Sequence, residues 1–336
     1  MLDLDLLQKY DKQKMYEVYD RWPQIAKESY EVNQSIIDFN DIDHIIFAGM
    51  GGSGTIGDIF SSILSQSKIH VQIVKGYILP KTVDSNTLVI TTSVSGNTSE
   101  TLNVLNSAKK INAKIIAFSS GGKMADFCAK NKIQYKKISK IHSPRASLPA
   151  YLYSILKCVG SILPLSRRDV TSSIEELDNL EKLISSSNLT ESNFAIDIAK
   201  YITDIPLIYY PYGLQSAAIR FKNSLQENAK IHVITEDVIE ACHNGVVAWE
   251  KPSNVNPILL EGKDDHANTK ERWKILKEYF KENNIKYKEI FSIKGNILSK
   301  IINLIYLLDY STIYLAVLSK TDPTPVYSID FIKSRV

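Results

Sequence analysis

Two short turns hold most of the residues in this chain that could do chemistry. The first lies in "IIFAGMGGSGTIGD", Ile45 to Asp58, where Gly49, Gly51 and Gly54 spell G-x-G-x-x-G between an apolar run and a helical pattern. Glycines there let the backbone approach an anion closely, and free N–H groups at the helix start point at it. The second is "TTSVSGNTSET", which puts Ser93, Ser95, Thr98, Ser99 and Thr101 between another apolar run and another helix. One such hydroxyl would be an ordinary helix cap. Five around a Ser-Gly-Asn turn make a neutral cup for one phosphate monoester, with the charge supplied by the helix end.

Taken alone, the first turn also fits a dinucleotide. A Rossmann site needs an acidic residue ~20 positions on, at the tip of the second strand, to hold the ribose. Here that strand ends "VQIVKGY", with Lys75 and Gly76 at its tip and no Asp or Glu. The pattern favours a smaller phosphate ligand, and NAD-dependent oxidoreduction is the weaker enzymatic alternative.

The elements that must hold these turns alternate between strand and helix. "HIIFAGM", "HVQIVKG", "NTLVITTSV" and "AKIIAFSS" read as apolar strands. Between them, one helix gathers Ile59, Phe60, Ile63 and Leu64 on one face, and another gathers Leu102, Leu105 and Ala108. Apolar strands separated by amphipathic helices predict a parallel sheet covered on both faces. The chain turns polar from about Leu165 to Ser192, and a second series follows: "IPLIYYPYG", "LQSAAIRFKNSLQENAK", "NPILLEG", "TKERWKILKEYFKENN". The expectation is an α/β protein of two related domains, 1–165 and 166–336, each a parallel β-sheet flanked by α-helices.

At 336 residues, two domains are also what length predicts. Forty basic against 37 acidic side chains leave +3, with no basic run, so neither nucleic acid nor an anionic membrane is an expected partner. "IINLIYLLDYSTIYLAVL", Ile301 to Leu318, is apolar enough to suggest a membrane span. Asp309 in its middle would cost ~2.5–3.5 kcal/mol at the bilayer centre, which favours a buried core helix. Three cysteines without ligand spacing, and an N-terminus without a signal pattern, fit a cytoplasmic protein with no disulfide and no zinc site.

"GMGGSG", "SVSGNTSET", "SPRASLP", "QENAK", "CHN" and "DPTPVYSIDFIK", in that order from about Ile45 to Lys333, resemble the bifunctional phosphoglucose/phosphomannose isomerases of the sugar isomerase (SIS) domain superfamily. The resemblance implies two SIS domains and aldose–ketose interconversion of glucose 6-phosphate, mannose 6-phosphate and fructose 6-phosphate through a cis-enediolate. It implies no cofactor and no metal. The phosphate anchor would be Gly52, Ser53, Ser93, Ser95 and Thr98, a set the turn chemistry also supports.

The remaining roles follow from the resemblance. Helical spacing alone makes Glu227 a solvated carboxylate paired with Arg220; the match of "QENAK" instead makes it the base that moves a proton between C1 and C2. His243, sixteen residues on, would help open the sugar ring, reaching the active site of a neighbouring subunit in a homodimer. Lys333 would assist it, with Lys320 as the competing assignment. The apolar neighbours Ile329, Phe331 and Ile332 predict that this terminus is docked. Arg145 would stabilise the enediolate, the alternative being a surface or capping contact. Glu240 is a secondary candidate, and Asp264–His266 reads as structural. Alternatives within the superfamily are a non-catalytic sugar-phosphate sensor, glucose 6-phosphate isomerisation only, or arabinose 5-phosphate isomerisation, whose enzymes resemble a single SIS domain.

Overall fold

The computed structural model describes residues 2–32, 37, 39 and 41–335. In chain order they form α1 (Leu4–Tyr10), α2 (Met15–Asp20), α3 (Trp22–Glu31), β1 (His44–Ala48), α4 (Gly52–Leu64), β2 (His70–Val74), β3 (Thr87–Ser93) and α5 (Ser99–Lys110). Next come β4 (Lys114–Ser119), α6 (Gly122–Asn131), β5 (Gln134–Lys137), α7 (Leu148–Cys158), α8 (Arg167–Ile184), α9 (Phe194–Tyr201) and β6 (Ile205–Tyr210). The rest are α10 (Gln215–Ser224), β7 (Ile234–Asp237), α11 (Val238–Ala241), β8 (Val255–Glu261), α12 (Ala267–Glu282), β9 (Lys288–Phe291), α13 (Ile297–Leu318) and α14 (Tyr327–Lys333).

These make two compact units. One is Arg21–Glu175; the other is Met1–Asp20 together with Glu176–Val336. The division therefore falls inside α8 and not at 165/166, and the first twenty residues belong with the C-terminal half. Long-range hydrogen bonds explain that exchange. The Tyr306 hydroxyl donates to the Tyr19 carbonyl at 2.7 Å, and the Tyr310 hydroxyl donates to Asp20 Oδ1. Leu7, Met15, Tyr16 and Tyr19 are all buried.

In the unit Arg21–Glu175 the sheet order is β2-β1-β3-β4-β5, every pair parallel. All residues of β1 and β3 are buried, as an apolar strand covered on both faces requires. Phe47 of β1 stacks on Phe60 of α4, while Ile46, Val89 and Ala117 pack with Val104 and Leu105 of α5. Strand order reverses between β2 and β3 around β1. The turns after β1 and β3 therefore open side by side at the carboxyl edge, the crevice where open α/β sheets bind ligands.

The other unit carries the sheet β7-β6-β8-β9, again parallel throughout. Tyr209 and Leu259 pack there against Trp273 and Phe280 of α12. Helix α13 is long and apolar enough to cross a membrane, yet nearly all of it from Leu298 to Val317 is buried in the protein. Its charge is neutralised in place, since Asp309 is fully buried and ion-paired with Arg220 at 2.6 Å.

Candidate active site

The turn after β1 is shaped by close approach. A Cβ at Gly49 would lie 2.9 Å from the Ser53 carbonyl and 3.0 Å from Thr92 O of β3, so only glycine lets this turn press on both. The Gly49 amide donates to Val74 O at 3.2 Å. Gly52 and Ser53 open α4, and Ser53 is buried. At the tip of β2, Lys75 pairs with Asp58 of α4 at 2.7 Å, so the place of a ribose-binding carboxylate is taken by a bound lysine. Burial raises the Asp58 carboxyl against the pull of Lys75.

After β3, the buried Ser93 Oγ lies 2.8 Å from Thr98 Oγ1 and accepts from the Gly96 amide at 3.1 Å. Ser95 is exposed, and its Oγ accepts from the Asn97 amide at 3.2 Å. Thr98 stands at the N-cap of α5 but makes no side-chain cap bond. Its hydroxyl turns to Ser93 instead, so the simple capping reading fails, and the first N–H groups of α5 gain nothing from it. The turn rests on the next one along the sheet edge. Met124 N donates to Gly96 O at 2.9 Å, and Lys123 N donates to Asn97 Oδ1 at 3.0 Å.

Arg145 lies just before α7 and is 3 % exposed, which removes the surface-contact alternative. Its segment is pinned from several sides. Ser147 Oγ accepts from the Ile141 amide at 2.9 Å and lies 2.8 Å from Ser143 O. Trp22 Nε1 donates to Ala146 O at 3.1 Å, and the Tyr151 hydroxyl donates to Ile138 O at 2.9 Å.

In the second unit, Glu227 lies on Leu225–Ala229, a π-helical turn that continues α10. Such widened turns are frequent at functional sites. Glu227 is half-buried. The lone pairing with Arg220 that spacing suggests is not what organises this region. Arg220 grips Asp309 through Nε and Nη2, and Ser224 Oγ donates to Asp309 Oδ1 at 2.6 Å. Burial works against the Arg220 charge, but Asp309 and Tyr19 outweigh it and hold the guanidinium above its ordinary range.

His243 is exposed on the turn after α11, where its amide donates to Glu240 O at 2.9 Å. The Glu240 carboxylate accepts from Asn244 Nδ2 at 2.7 Å. Lys333 ends α14 and is exposed, and so are Phe331 at 60 % and Ile332 at 62 %. The apolar side chains beside Lys333 therefore do not bury it within the chain, contrary to the expectation from composition. Their faces are left open to solvent.

The structure thus brings Gly52, Ser53, Ser93, Ser95 and Thr98 to one sheet edge, while Glu227, His243 and Lys333 lie on three separate segments of the other unit. His266 of the Asp264–His266 run accepts from the Asn268 amide through Nδ1 and caps α12. Among the described residues no group of three or more His, Cys, Asp or Glu could hold a metal ion. Asn228 and Thr312, joined by a 2.7 Å hydrogen bond beside Glu227, were not singled out by sequence. Their signal is faint: Asp309 and Thr312 are two of several polar residues, with Asn303 and Ser311, in a mostly apolar helix.

Residues 38–153 match the SIS domain family, and residues 191–336 match the bacterial phospho-glucose isomerase C-terminal SIS domain. The bifunctional phosphoglucose/phosphomannose isomerase of Caldicellulosiruptor bescii is 32% identical over 335 residues, covering 96% of this chain and 98% of that one. A D-glucosamine-6-phosphate 4-epimerase from Sulfolobus acidocaldarius is 30% identical, covering 73% of this chain and 77% of its own. The tagatose-6-phosphate ketose/aldose isomerase structure from Escherichia coli shares the fold, with TM-score 0.71 at 13% identity, covering 94% of this chain and 96% of that one. With conformity of this order along nearly its whole length, the chain belongs to the bifunctional phosphoglucose/phosphomannose isomerase family.

Proposed function

We propose that this protein interconverts fructose 6-phosphate with glucose 6-phosphate and with mannose 6-phosphate, working as a cytoplasmic homodimer. The observation that carries the reading is the pair of turns at the reversal point of the first sheet. There Thr98 gives up helix capping to join Ser93, and the N-termini of α4 and α5 stand at one edge. Gly52, Ser53, Ser93, Ser95 and Thr98 hold the phosphate through N–H groups and hydroxyls. With the phosphate fixed, the sugar chain presents C1 and C2 for proton transfer.

In this mechanism His243 and Lys333 move the proton that converts the ring hemiacetal to the open chain. The Glu227 carboxylate takes the proton from the carbon beside the carbonyl, and the electron pair becomes the enediolate, whose oxygen charge Arg145 balances. Glu227 then returns the proton to the neighbouring carbon. Rotation about C2–C3 before that return yields either epimer at C2. The exposure of His243 supports service in a neighbouring subunit, and exposed Phe331 and Ile332 give that subunit an apolar surface to cover.

The test is proton NMR of the purified protein with fructose 6-phosphate in heavy water containing EDTA. Both aldose 6-phosphates should appear, deuterated at C2. Glucose 6-phosphate alone would remove the second specificity, and absence of turnover with sugar phosphate still raising the melting temperature would indicate a sensor. The Sulfolobus relative motivates a second reading, 4-epimerisation of an amino sugar phosphate. Appearance of the C4 epimer from glucosamine 6-phosphate in a parallel tube would select it.

A further inference from the structure

Helix α10 and the π turn after it present Arg220, Ser224 and Asn228 at four-residue intervals, so the three share one face. That face meets Asp309 and Thr312, three apart on α13. Arg220 and Ser224 take Asp309, and Asn228 Nδ2 donates to Thr312 Oγ1 at 2.7 Å. Thr312 Oγ1 in turn donates to Asp309 O at 2.7 Å, so the two contacts are linked through one helical turn. Asn228 and Thr312 are completely buried. The backbone on the other side of Glu227 is held by Lys230, whose Nζ donates to Glu227 O and, at 3.2 Å, to Pro323 O. Lys230 itself stands at φ +60° and ends the π turn.

A buried amide–hydroxyl hydrogen bond is an expensive arrangement for packing alone. An apolar pair of the same shape would fill the space without desolvating either group. A π turn is also a poorer hydrogen-bonding geometry than the α-helix it interrupts, so something must hold it open. We infer that the Asn228–Thr312 hydrogen bond is a positioning device, fixing the π turn so that the Glu227 carboxylate is held at the reacting carbons. The inference rests on the reading of Glu227 as the base and deepens it. Asn228 and Thr312 touch no substrate; they act through the residue beside them.

The test compares Thr312→Val, Thr312→Ser, Asn228→Leu with Thr312→Val, and Glu227→Gln, using fructose 6-phosphate. A base displaced by about 1 Å loses about 100-fold in rate. Thr312→Val should lower kcat about 10- to 100-fold with KM within about twofold, and Thr312→Ser should restore kcat. Thr312→Val removes the acceptor of a buried amide hydrogen and can lower stability. The double variant removes both partners together and should melt close to the wild type while keeping the low kcat. A folded double variant with wild-type kcat overturns the inference. So does a kcat loss in Thr312→Val that Thr312→Ser does not restore. Glu227→Gln separates the two readings. If it stays active, the base assignment fails; if it is inactive while the double variant turns over normally, only the positioning role fails.

Discussion

Gly96 is the point where the proposed phosphate cup is least able to tolerate change. Its φ is +70°, and an added Cβ would lie 1.8 Å from Gly121 O, with the Gly121 carbonyl carbon at 2.8 Å. The left-handed backbone alone costs an alanine about 1–2 kcal/mol. The collision matters more. A carbon approaches a carbonyl oxygen to roughly 3.3 Å, so the turn must retreat by about 1.5 Å from the strand edge. That retreat breaks the Met124 N–Gly96 O bond of 2.9 Å and the Gly96 N–Ser93 Oγ bond of 3.1 Å, and it moves Ser93 away from Thr98. Gly96→Ala should therefore lower kcat/KM for fructose 6-phosphate about 100-fold, the scale of a 1 Å error in substrate placement. Calorimetry should show inorganic phosphate bound correspondingly weakly. Gly295→Ala is the control, since it too requires positive φ but meets nothing nearer than Ser299 Cβ at 3.9 Å. It should lose stability and keep kcat/KM. A folded Gly96→Ala enzyme with kcat/KM within about threefold of wild type would refute the argument, because a cup shaped by this contact cannot survive its removal.

Three further outcomes follow from groups outside that turn. Burial lifts the Asp11 carboxyl from the ordinary 3.8 to about 6, despite the amides of Tyr16 and Met15. A carboxyl raised on folding prefers its proton, so stability is highest below pH 4 and falls by about 3 kcal/mol as pH rises through 6. The stability of Asp11→Asn relative to wild type should improve by about 2 kcal/mol between pH 4.5 and 7; denaturant unfolding showing a constant difference would sink this. Arg220→Met strands the buried Asp309 charge and should cost about 3–5 kcal/mol, while Arg220→Met with Asp309→Leu should recover most of it in thermal melts. Phe331→Lys with Ile332→Lys should convert the proposed dimer to a monomer in sedimentation equilibrium if the exposed face of α14 lies in the subunit interface.

What the sequence disclosed was whatever is encoded within a few residues. Apolar runs such as Thr87–Ser93 and the glycines that end them are local signals, so both parallel sheets and both turns were legible. The signals that failed are long-range or cooperative. Nothing in "LQENA" announces a π turn, and its Asn228 is bonded to Thr312 of α13, eighty-four residues away. Residues 1–20 join the C-terminal half through tyrosine hydroxyls on α13, and a tyrosine in a helix reads as core whichever partner its hydroxyl finds. The apolar character of Phe331 and Ile332 predicts a docked terminus, but a single chain leaves them open.

The two sheets also show why matching topology does not give matching sites. β6 and β8 stand in the second sheet where β1 and β3 stand in the first, at the reversal of strand order. After β3 come the hydroxyls of Ser93, Ser95 and Thr98. After β8 come Gly262, Lys263, Asp264 and Asp265, on the heels of Glu261. Asp265 Oδ2 accepts from the Gly262 amide and from Trp273 Nε1, both at 3.0 Å, so this turn already carries an anion of its own. A Cβ at Gly262 would sit 2.0 Å from Asp265 Oδ1, so a side chain there would have to displace that carboxylate. A phosphate entering here would meet the Asp265 carboxylate in place of hydroxyls, at about 4 kcal/mol of repulsion for that charge pair at 4 Å near the surface. The likeness of the two halves therefore holds for backbone and ends at the loops, and the phosphate reading belongs to the first sheet because its turns offer donors where the second sheet's turn offers an acid.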